Sequence, residues 1–373
     1  MDTAIVIGGG QSGLAAAFTL RNQGFQPIVL EAGTEAVGSW PRYYDSLRTF
    51  SPARLFSLPG MAFPAPRDHL PVRDEVVGYL RRYASRLDCE IRTGQRVVSV
   101  LADRDGYVVA TDDGGALHAR VVVAASGNFD NPYRPGLPAL ASFTGTVLHT
   151  ADYRSPAPFE GQRIVVVGAG SSAVQIAVEL AERTPTLLAS RRPIRFTDWN
   201  ILPQHEGLTR LTESLFRLPV GPLLLSTTRA YNVVPDPSRI HREAFARGVI
   251  ERLPMFTDSD GDELRWADGR VEKTDTIILG TGYRPALEYL RPIGALDRRG
   301  LPRQRHGIST VHPGLAFVGI EGQHTVLSNG LHGVGQDAAY VARRMRRRIA
   351  GTHPALRRHR PGPAPLGLAA AGN

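Results

Sequence analysis

Cysteine is nearly absent from this chain of 373 residues, in which Cys89 is the single example. One thiol excludes a disulfide framework within the chain, a metal cluster built from cysteines and a Cys-x-x-Cys redox pair. We therefore expect neither a metal centre nor catalysis by paired thiols.

Long apolar runs are also missing. No stretch approaches the roughly 18 apolar residues that a membrane-spanning helix needs. The chain enters its first predicted strand by Ala4, which leaves no room for a signal peptide ahead of it. Hydrophobic residues make up 42% and charged residues 21% of the chain, as in ordinary globular proteins, and the length suffices for two or three domains. We expect a cytoplasmic protein with no membrane span.

No acidic residue follows Asp337, in the part of the chain where arginine is concentrated. Arginine occupies positions 343, 344, 346, 347, 348, 357, 358 and 360 with no acidic residue between them, against a formal net charge of +9 for the whole chain. The remainder is nearly neutral, so the charge balance does not predict nucleic-acid binding. Residues 351–373 are rich in Pro, Ala and Gly and are expected to form a disordered basic tail, for which weak contact with anionic surfaces stays open.

The chain carries one glycine fingerprint twice. Residues 5–13 read IVIGGGQSG and lead to Glu31, whereas residues 165–173 read VVVGAGSSA and lead to Arg191, each position lying 160 residues after its counterpart. Each copy follows an apolar strand and opens a helix, which is the context of a dinucleotide-binding turn. The first two glycines would allow the turn and the close approach of a pyrophosphate, and the third small residue would let the helix pack on its strand. The predicted fold class is therefore α/β, with two Rossmann-like dinucleotide-binding domains.

The residue that ends each copy predicts a different nucleotide. Glu31 suits a ribose with both hydroxyls free, whereas Arg191 and its neighbour Arg192 would attract a 2′-phosphate. The first copy therefore indicates FAD or NAD, and the second indicates NADPH. Two such sites on one chain suggest hydride transfer between cofactors.

The order of segments predicts that one domain is inserted into the other. We assign residues 1–152 and 283–350 to a discontinuous FAD-binding domain and residues 153–282 to an NADPH-binding domain. Gly24 is expected to end the first helix, Asp74 to cap a helix that follows it, and Gly335 to lie near the start of the final helix. Residues 194–251 are hard to interpret and could form a lid, a pocket wall, a dimer contact or a packed connection.

The segment before the second fingerprint resembles a family signature. Residues 143–153 read FTGTVLHTADY and match the pattern Phe-x-Gly-x-x-x-His-x-x-x-(Tyr/Phe) of flavin-containing monooxygenases. The resemblance extends over most of the chain, from about residue 4 to residue 349. It implies FAD and NADPH as cofactors, and it gives His149 a role in coupling NADPH binding to the flavin. Tyr153 in the last place resembles the N- and S-oxygenating branch more than the Baeyer–Villiger branch.

Other segments reinforce this resemblance. Residues 38–40 (GSW) and 44–48 (YDSLR) are similar to stretches near the flavin, and residues 125–132 and 279–285 are similar to the two crossover segments between domains. Residues 330–337 would place a helix N-terminus at the pyrimidine edge of the flavin, where the helix dipole favours negative charge. The expected cofactor-binding residues are Gly8, Gly10, Gln11, Ser12, Gly13, Glu31, Ala32, Gly38, Trp40, Gly127, Gly168, Gly170, Ser171, Ser172, Arg191, Arg192, Gly282 and Gly335. The candidates for lining the substrate space are Trp40, Phe50, Ser51, Trp199, Asn329 and His332.

One residue departs from the family pattern. Ser51 stands at or next to a position where N- and S-oxygenating members carry Asn, and we assign Ser51 a catalytic role as a hydrogen-bond donor to a flavin peroxide. This departure leaves room for attack on a carbonyl or for oxidation of a small soft centre such as trivalent arsenic. The single cysteine argues against a disulfide reductase of similar fold.

The sequence thus predicts an FAD- and NADPH-dependent monooxygenase. It would form a C4a-(hydro)peroxyflavin and insert one atom of O2 into a small-molecule substrate. The alternatives are an NADPH-dependent flavin oxidoreductase that passes electrons to a partner or quinone, and a flavoprotein in which NADPH binding regulates an interaction. The oligomeric state stays open, with a homodimer among the alternatives.

Overall fold

The computed structural model describes residues 1–197, 233–325 and 327–352. Trp199, most of the segment 194–251 and the predicted tail beyond residue 352 lie outside the described residues. The mixed α/β class expected from the sequence is confirmed.

The first fingerprint folds as a strand, a turn and a helix. Strand β1 covers Asp2–Ile7, helix α1 covers Gln11–Asn22 and strand β2 covers Phe25–Leu30. The two strands pair in parallel with Ile5 beside Ile28. Because both strands are covered by other elements, they consist of apolar residues almost throughout. Gly24 follows the helix in a left-handed conformation, with φ of 78°, as expected for a residue that ends a helix.

This unit belongs to a seven-stranded sheet, whose other strands come from both the N-terminal and the C-terminal part of the chain. The added strands are β3 (Glu90–Arg92), β7 (Val121–Ala124), β18 (Gln304–Arg305), β19 (Ile308–Ser309) and β20 (Leu315–Phe317). The spatial order is β18-β19-β20-β7-β1-β2-β3, parallel from β20 to β3 and antiparallel at the β18 edge. The C-terminal part of the chain returns to this sheet through β20, which pairs in parallel with β7.

A five-stranded parallel sheet forms around the second fingerprint. Its strands are β8 (Thr146–His149), β9 (Ile164–Val167), β10 (Thr186–Ala189), β13 (Glu251–Leu253) and β17 (Thr276–Leu279), in the order β13-β10-β9-β17-β8. Helix α3 (Ser171–Ala181) follows β9 as α1 follows β1. The edge strand β8 lies ahead of residue 153, where the sequence places the start of the second domain.

The other strands form smaller sheets. Two antiparallel three-stranded sheets contain β4 (Val97–Asp103), β5 (Gly106–Thr111) and β6 (Ala116–Ala119), and β14 (Asp258–Asp260), β15 (Glu263–Arg265) and β16 (Val271–Lys273). A parallel pair joins β11 (Arg195–Thr197) to β12 (Val233–Pro235). The remaining helices are α2 (Arg73–Ala84), α4 (Ile240–Ala246) and α5 (Leu331–Thr352).

Two helix starts differ from the sequence expectation. Val72, rather than Asp74, is the N-cap of α2, because the Glu75 carboxylate accepts the Val72 N–H at 2.9 Å and satisfies the helix start from its third position. Helix α5 begins at Leu331, four residues ahead of Gly335. Two glycines lie among its first five residues, so propensity alone places the start too late.

Two crossover segments join the sheets and bind each other. The Ala286 N–H donates to the Gly127 carbonyl at 2.9 Å, and the Tyr133 N–H donates to the Gly282 carbonyl at 2.8 Å. Asn131 adds a side-chain hydrogen bond to the Pro285 carbonyl at 3.1 Å. These contacts hold the carboxyl ends of the two sheets beside one cleft.

Candidate cofactor and active site

A cleft of about 460 Å³ lies at the carboxyl ends of β1, β2 and β7 and reaches the start of α3. Open α/β sheets bind ligands at this edge. The predicted site residues that line it are Gly8, Gly10, Gln11, Ser12, Glu31, Ala32, Gly38, Trp40, Phe50, Ser51, Gly127, Ser171, Ser172, Asn329 and His332. Gly13, His149, Gly168, Gly170, Arg191, Arg192, Gly282 and Gly335 lie outside its lining.

The first glycine turn is packed too closely for side chains. A Cβ on Gly13 would lie 1.8 Å from the Gly8 carbonyl oxygen, and one on Gly8 would lie 2.6 Å from the Ala125 carbonyl oxygen. Gly8 also has φ of 106°, a conformation that favours glycine. The absence of side chains thus keeps α1 close to β1, with the first-turn N–H groups of α1 toward the cleft.

The Glu31 carboxylate lies at the end of β2 and faces this turn. It accepts the Gly9 N–H at 2.6 Å and the Gly33 N–H at 2.7 Å, one on each oxygen. Each carboxylate oxygen has two lone pairs, so two such bonds leave acceptor capacity for a ligand. The carboxylate is therefore oriented before any ribose arrives.

A chain of hydrogen bonds links the first turn of α1 to two other walls of the cleft. Trp40 Nε1 donates to Gln11 Oε1 at 2.9 Å, and Gln11 Nε2 donates to the Asn329 carbonyl at 2.8 Å. The three residues come from distant parts of the chain, so the cleft is closed by tertiary contacts and not by one motif.

The second glycine turn repeats the packing of the first with a different partner. A Cβ on Gly168 would lie 2.3 Å from the Gly280 carbonyl oxygen, and one on Gly280 would lie 2.6 Å from the Ala173 side chain. Gly170, the N-cap of α3, has open space where a side chain would stand. The turn is therefore tight at its base and open at the helix N-terminus.

Arg191 and Arg192 are exposed just beyond the end of β10. Ser190 Oγ donates to the Arg192 carbonyl at 2.9 Å, and Arg252 donates to Ser190 Oγ at 2.9 Å and to its carbonyl at 2.6 Å. A fixed turn therefore presents two guanidinium groups at the edge of the second sheet.

His149 is fully buried and does not reach the cleft. Its Nε2 bonds the Gly282 carbonyl at 3.1 Å and its Nδ1 accepts the Ala151 N–H at 3.0 Å, an arrangement that suits a neutral ring protonated on Nε2. Burial lowers the pKa of His149 below its ordinary value. The ring thus ties the end of β8 to the crossover segment around Gly282.

The opposite wall combines apolar and polar groups. Phe50 is partly exposed at 37%, whereas Ser51 beside it is buried at 3%. His332 stands in the first turn of α5, and its buried Nδ1 has no hydrogen-bond partner within residues 1–197, 233–325 and 327–352. Burial lowers the pKa of His332 to about 4. The imidazole is therefore neutral at physiological pH.

Several lining residues escape the sequence reasoning. Ser126 Oγ bonds the Tyr289 hydroxyl at 2.9 Å, and Arg42 pairs with Asp130 at 2.5 Å. Gln95 lies beyond β3, the strand beside β2. The carboxyl edge of the strand next to the fingerprint is the one signal that would have found Gln95. The others are brought in by contacts remote in sequence.

The described residues carry little that suggests other redox or metal chemistry. Burial raises the pKa of the Cys89 thiol to about 11, which keeps it protonated and unreactive. Among residues 1–197, 233–325 and 327–352, no three His, Cys, Asp or Glu side chains are grouped so as to hold a metal ion. No helix in the same ranges combines the length and apolarity that crossing a bilayer requires.

Known proteins that are similar to this chain are oxidoreductases. Residues 5–200 match the family described as pyridine nucleotide-disulphide oxidoreductase. A flavin-containing monooxygenase from Stenotrophomonas maltophilia is 30% identical, with a TM-score of 0.80 over 94% of this chain and 100% of that one. An uncharacterized CzcO-like oxidoreductase from Geobacillus kaustophilus is 29% identical over 90% of this chain and 96% of its own. An indole-3-pyruvate monooxygenase from Oryza sativa is 29% identical over 91% of this chain and 90% of its own.

The family name covers disulphide chemistry, but one cysteine with a raised pKa cannot form the paired thiols of a disulphide reductase. The matched solved structure and the rice relative are both monooxygenases by name. The chain belongs to the pyridine nucleotide-disulphide oxidoreductase family and, within it, to the flavin-containing monooxygenases, which makes it an oxidoreductase enzyme and a flavoprotein.

Proposed function

We propose that this chain is an FAD- and NADPH-dependent monooxygenase with two Rossmann-like domains. FAD would bind the domain built from residues 1–152 and 283–350, and NADPH the inserted domain of residues 153–282. Since β8 joins the second sheet, the inserted domain on this proposal begins ahead of residue 153. The observation that carries the proposal is that one cleft contains both the Glu31 carboxylate and the first turn of α3.

The residues of the first cradle fit FAD. Glu31 would accept the ribose hydroxyls, and the N–H groups around Gly8, Gly10 and Gln11 would hold the pyrophosphate. At the other end, the N-terminus of α5 would face the flavin ring, where its dipole would stabilise added negative charge.

The residues of the second cradle fit NADPH. Gly168, Gly170, Ser171 and Ser172 would hold the pyrophosphate, with Arg191 and Arg192 on the 2′-phosphate. His149 would act indirectly, by holding the crossover segment that joins the two domains.

When bound and reduced, the flavin would supply the oxygen-transferring C4a-(hydro)peroxyflavin. The chain would position that group, donate a hydrogen bond from Ser51 and exclude water. Phe50 and Ser51 both line the cleft, so an apolar side chain stands next in sequence to the donor.

For the substrate we propose a small oxo acid attacked at its carbonyl carbon. Ser51 replaces the Asn expected for N- and S-oxygenation, and the rice relative is named for a 2-oxo acid, indole-3-pyruvate. Arg48 also lines the cleft, and its charge is one of the causes that lower the pKa of Glu75. A cation beside the reaction space suits an anionic substrate.

The test is anaerobic reduction of the purified flavoprotein by NADPH, followed by mixing with isotopically labelled oxygen and a panel of oxo acids. We expect rapid flavin reduction, a spectral phase between the reduced and oxidised states, and one labelled oxygen atom in the product. Full reoxidation with hydrogen peroxide alone, in the presence of every substrate, would favour the oxidoreductase alternative. Failure of NADPH to reduce the flavin would overturn the cofactor assignment.

A further inference from the structure

Tyr44 crosses from one half of the molecule into the other. The residue follows the first fingerprint in the chain, yet its side chain, 3% exposed, packs in the hydrophobic core of the second sheet. Its ring meets Tyr153 edge-on at 6.1 Å. Tyr44 thereby attaches the segment of residues 44–51 to the second sheet and its helix α3.

The Tyr44 hydroxyl starts a chain of hydrogen bonds beside the N-terminal turns of α3. Tyr44 lines the cleft together with Ser172 and Gln175, and Tyr44 Oη donates to Gln175 Oε1 at 2.7 Å. Gln175 Nε2 then donates to the Arg48 carbonyl at 3.4 Å. The chain ends at the cleft wall formed by Arg48, Phe50 and Ser51.

The Tyr44 hydroxyl has one proton to donate, and that proton goes to Gln175 Oε1. Because Tyr44 lines the cleft beside Ser172, a pyrophosphate held at the start of α3 would offer the same proton a second acceptor. The pyrophosphate is the stronger acceptor because it is charged. Binding of the nucleotide would therefore draw the Tyr44 donor away from Gln175 and disturb the bond that follows it.

We propose that Tyr44 is a positioning residue that links occupancy of the NADPH site to the arrangement of residues 44–51 in the oxygenation cleft. This inference rests on the proposed function, since it takes α3 as the site of the pyridine nucleotide. Coupling of this kind is reciprocal: the nucleotide alters the wall, and the wall alters nucleotide affinity.

The neighbouring main-chain hydrogen bonds show which part of residues 44–51 could change when the nucleotide binds. The Asp45 N–H donates to the Arg154 carbonyl at 2.9 Å, and the Thr49 N–H donates to the Pro71 carbonyl at 3.0 Å. These bonds anchor the segment at both sides of Arg48. The long Gln175–Arg48 contact between them is the one most easily changed.

The experiment compares amide hydrogen exchange in the FAD-loaded wild type and Tyr44→Phe, with and without NADP⁺. In the wild type we expect NADP⁺ to change exchange in peptides covering residues 44–51 by about fivefold, a typical coupling. Tyr44→Phe keeps the packed ring and loses the hydroxyl, so the change over 44–51 should vanish while NADP⁺ still protects the start of α3.

Tyr83→Phe is the matched control. Tyr83 is also buried, and its hydroxyl donates to the Pro59 carbonyl at 2.7 Å, but it does not line the cleft. This variant should keep the wild-type response to NADP⁺. Loss of the response in both variants would assign the effect to general loosening and overturn the inference.

Turnover gives a second readout. Tyr44→Phe leaves Gly170, Ser171 and Ser172 in place for the pyrophosphate, so the KM for NADPH should change little, while hydrogen peroxide released per NADPH should rise about fivefold. Gln175→Leu should show the same pattern, and it replaces Tyr44→Phe if that variant does not fold. The double variant should release no more hydrogen peroxide than either single variant.

An unchanged exchange response and unchanged peroxide release in Tyr44→Phe would overturn the inference. Absence of any NADP⁺ effect in the wild type, at α3 or elsewhere, would instead count against the proposed function.

Discussion

At the scale of single residues, the site depends on glycines, because their lack of a side chain allows close backbone contacts. Gly13 contacts the Gly8 carbonyl so closely that no side chain fits, and Ala173 in the second fingerprint shows that the corresponding position there accepts a methyl group. The two positions differ in the backbone that they contact: Gly13 contacts Gly8, whereas Ala173 packs against Gly280.

Gly13→Ala is expected to lose flavin and stability together. The new Cβ would lie 1.8 Å from the Gly8 oxygen, so α1 must move away from β1, at a cost of about 2–4 kcal/mol. Flavin content per chain and the melting temperature measure the effect. Gly136→Ala is the control, because the added methyl group there meets nothing within 4 Å. Equal flavin content in the two variants would contradict the cradle assignment.

Asp337 is a buried carboxyl group that the site does not explain. It lies in α5, it is fully buried, and neither carboxylate oxygen has a hydrogen-bond partner among the residues that the structure describes. The nearby Ser328 hydroxyl donates instead to the Thr325 carbonyl at 2.8 Å. Burial raises the pKa of Asp337 from 3.8 to about 7.

The shift predicts how stability depends on pH. Between pH 4 and 7 the native carboxyl holds a proton that the unfolded one has lost, so its contribution is full below pH 4 and is lost as pH rises through 7. Asp337→Asn should therefore gain stability relative to wild type on going from pH 4 to pH 8, by about 1–4 kcal/mol. Denaturant unfolding at the two pH values tests this. His332 titrates in the opposite sense, since its pKa is lowered, and the comparison with wild type cancels its contribution.

Asp113→Asn is the contrasting variant. The exposed Asp113 carboxylate accepts bonds from Thr111, Gln95 and the Gly115 N–H, which lower its pKa to about 2. Its contribution is present above pH 4 and lost as the pH falls toward 2. This variant should lose stability relative to wild type at pH 8, and a gain there would contradict the sign of both arguments.

At the scale of elements, the two glycine turns are alike and the residues after the next strand differ. The glycine-rich turn and the helix start follow from local sequence in both copies, because small residues and apolar strands act over a few positions. The N-cap of α2 at Val72 did not follow from local sequence, because the Glu75 side chain satisfies the Val72 N–H from inside the helix. Strand β8 was missed as part of the second sheet because its partner β17 lies more than a hundred residues away.

Arg191→Ala is expected to weaken NADPH selectively. The turn after β10 would remain, since Ser190 and Arg252 hold it through main-chain and side-chain bonds. The KM for NADPH should rise about tenfold, equivalent to roughly 1.4 kcal/mol, while the KM for NADH stays constant. Arg195→Ala, an exposed arginine close by in sequence, is the control. An unchanged KM for NADPH in Arg191→Ala would overturn the assignment of the 2′-phosphate site.

At the scale of the whole molecule, the two sheets act together because crossover segments and Tyr44 connect them. Gly127, Asn131 and Tyr133 bond the segment from Gly282 to Ala286, and His149 bonds Gly282 from the second sheet. A ligand in the cleft would contact both sides of this connection, and so would stabilise both sheets.

Removal of the flavin should destabilise both halves. A ligand at a thousand times its Kd contributes about 4 kcal/mol, which corresponds to several degrees in melting temperature. Amide exchange after flavin removal should rise in residues 125–132 and 282–286 as well as around Gly8. An increase confined to the first fingerprint would contradict a shared cleft.

The sequence by itself determined the α/β class, the two glycine turns and the contrast between Glu31 and Arg191, because these depend on neighbours along the chain. Only the tertiary structure decided which residues meet. It brought Asn329 to Gln11, buried His149 away from the cleft, and set Tyr44 in the core beside α3. Such contacts depend on how two sheets pack across long separations in sequence, and no local pattern of residue types encodes that packing.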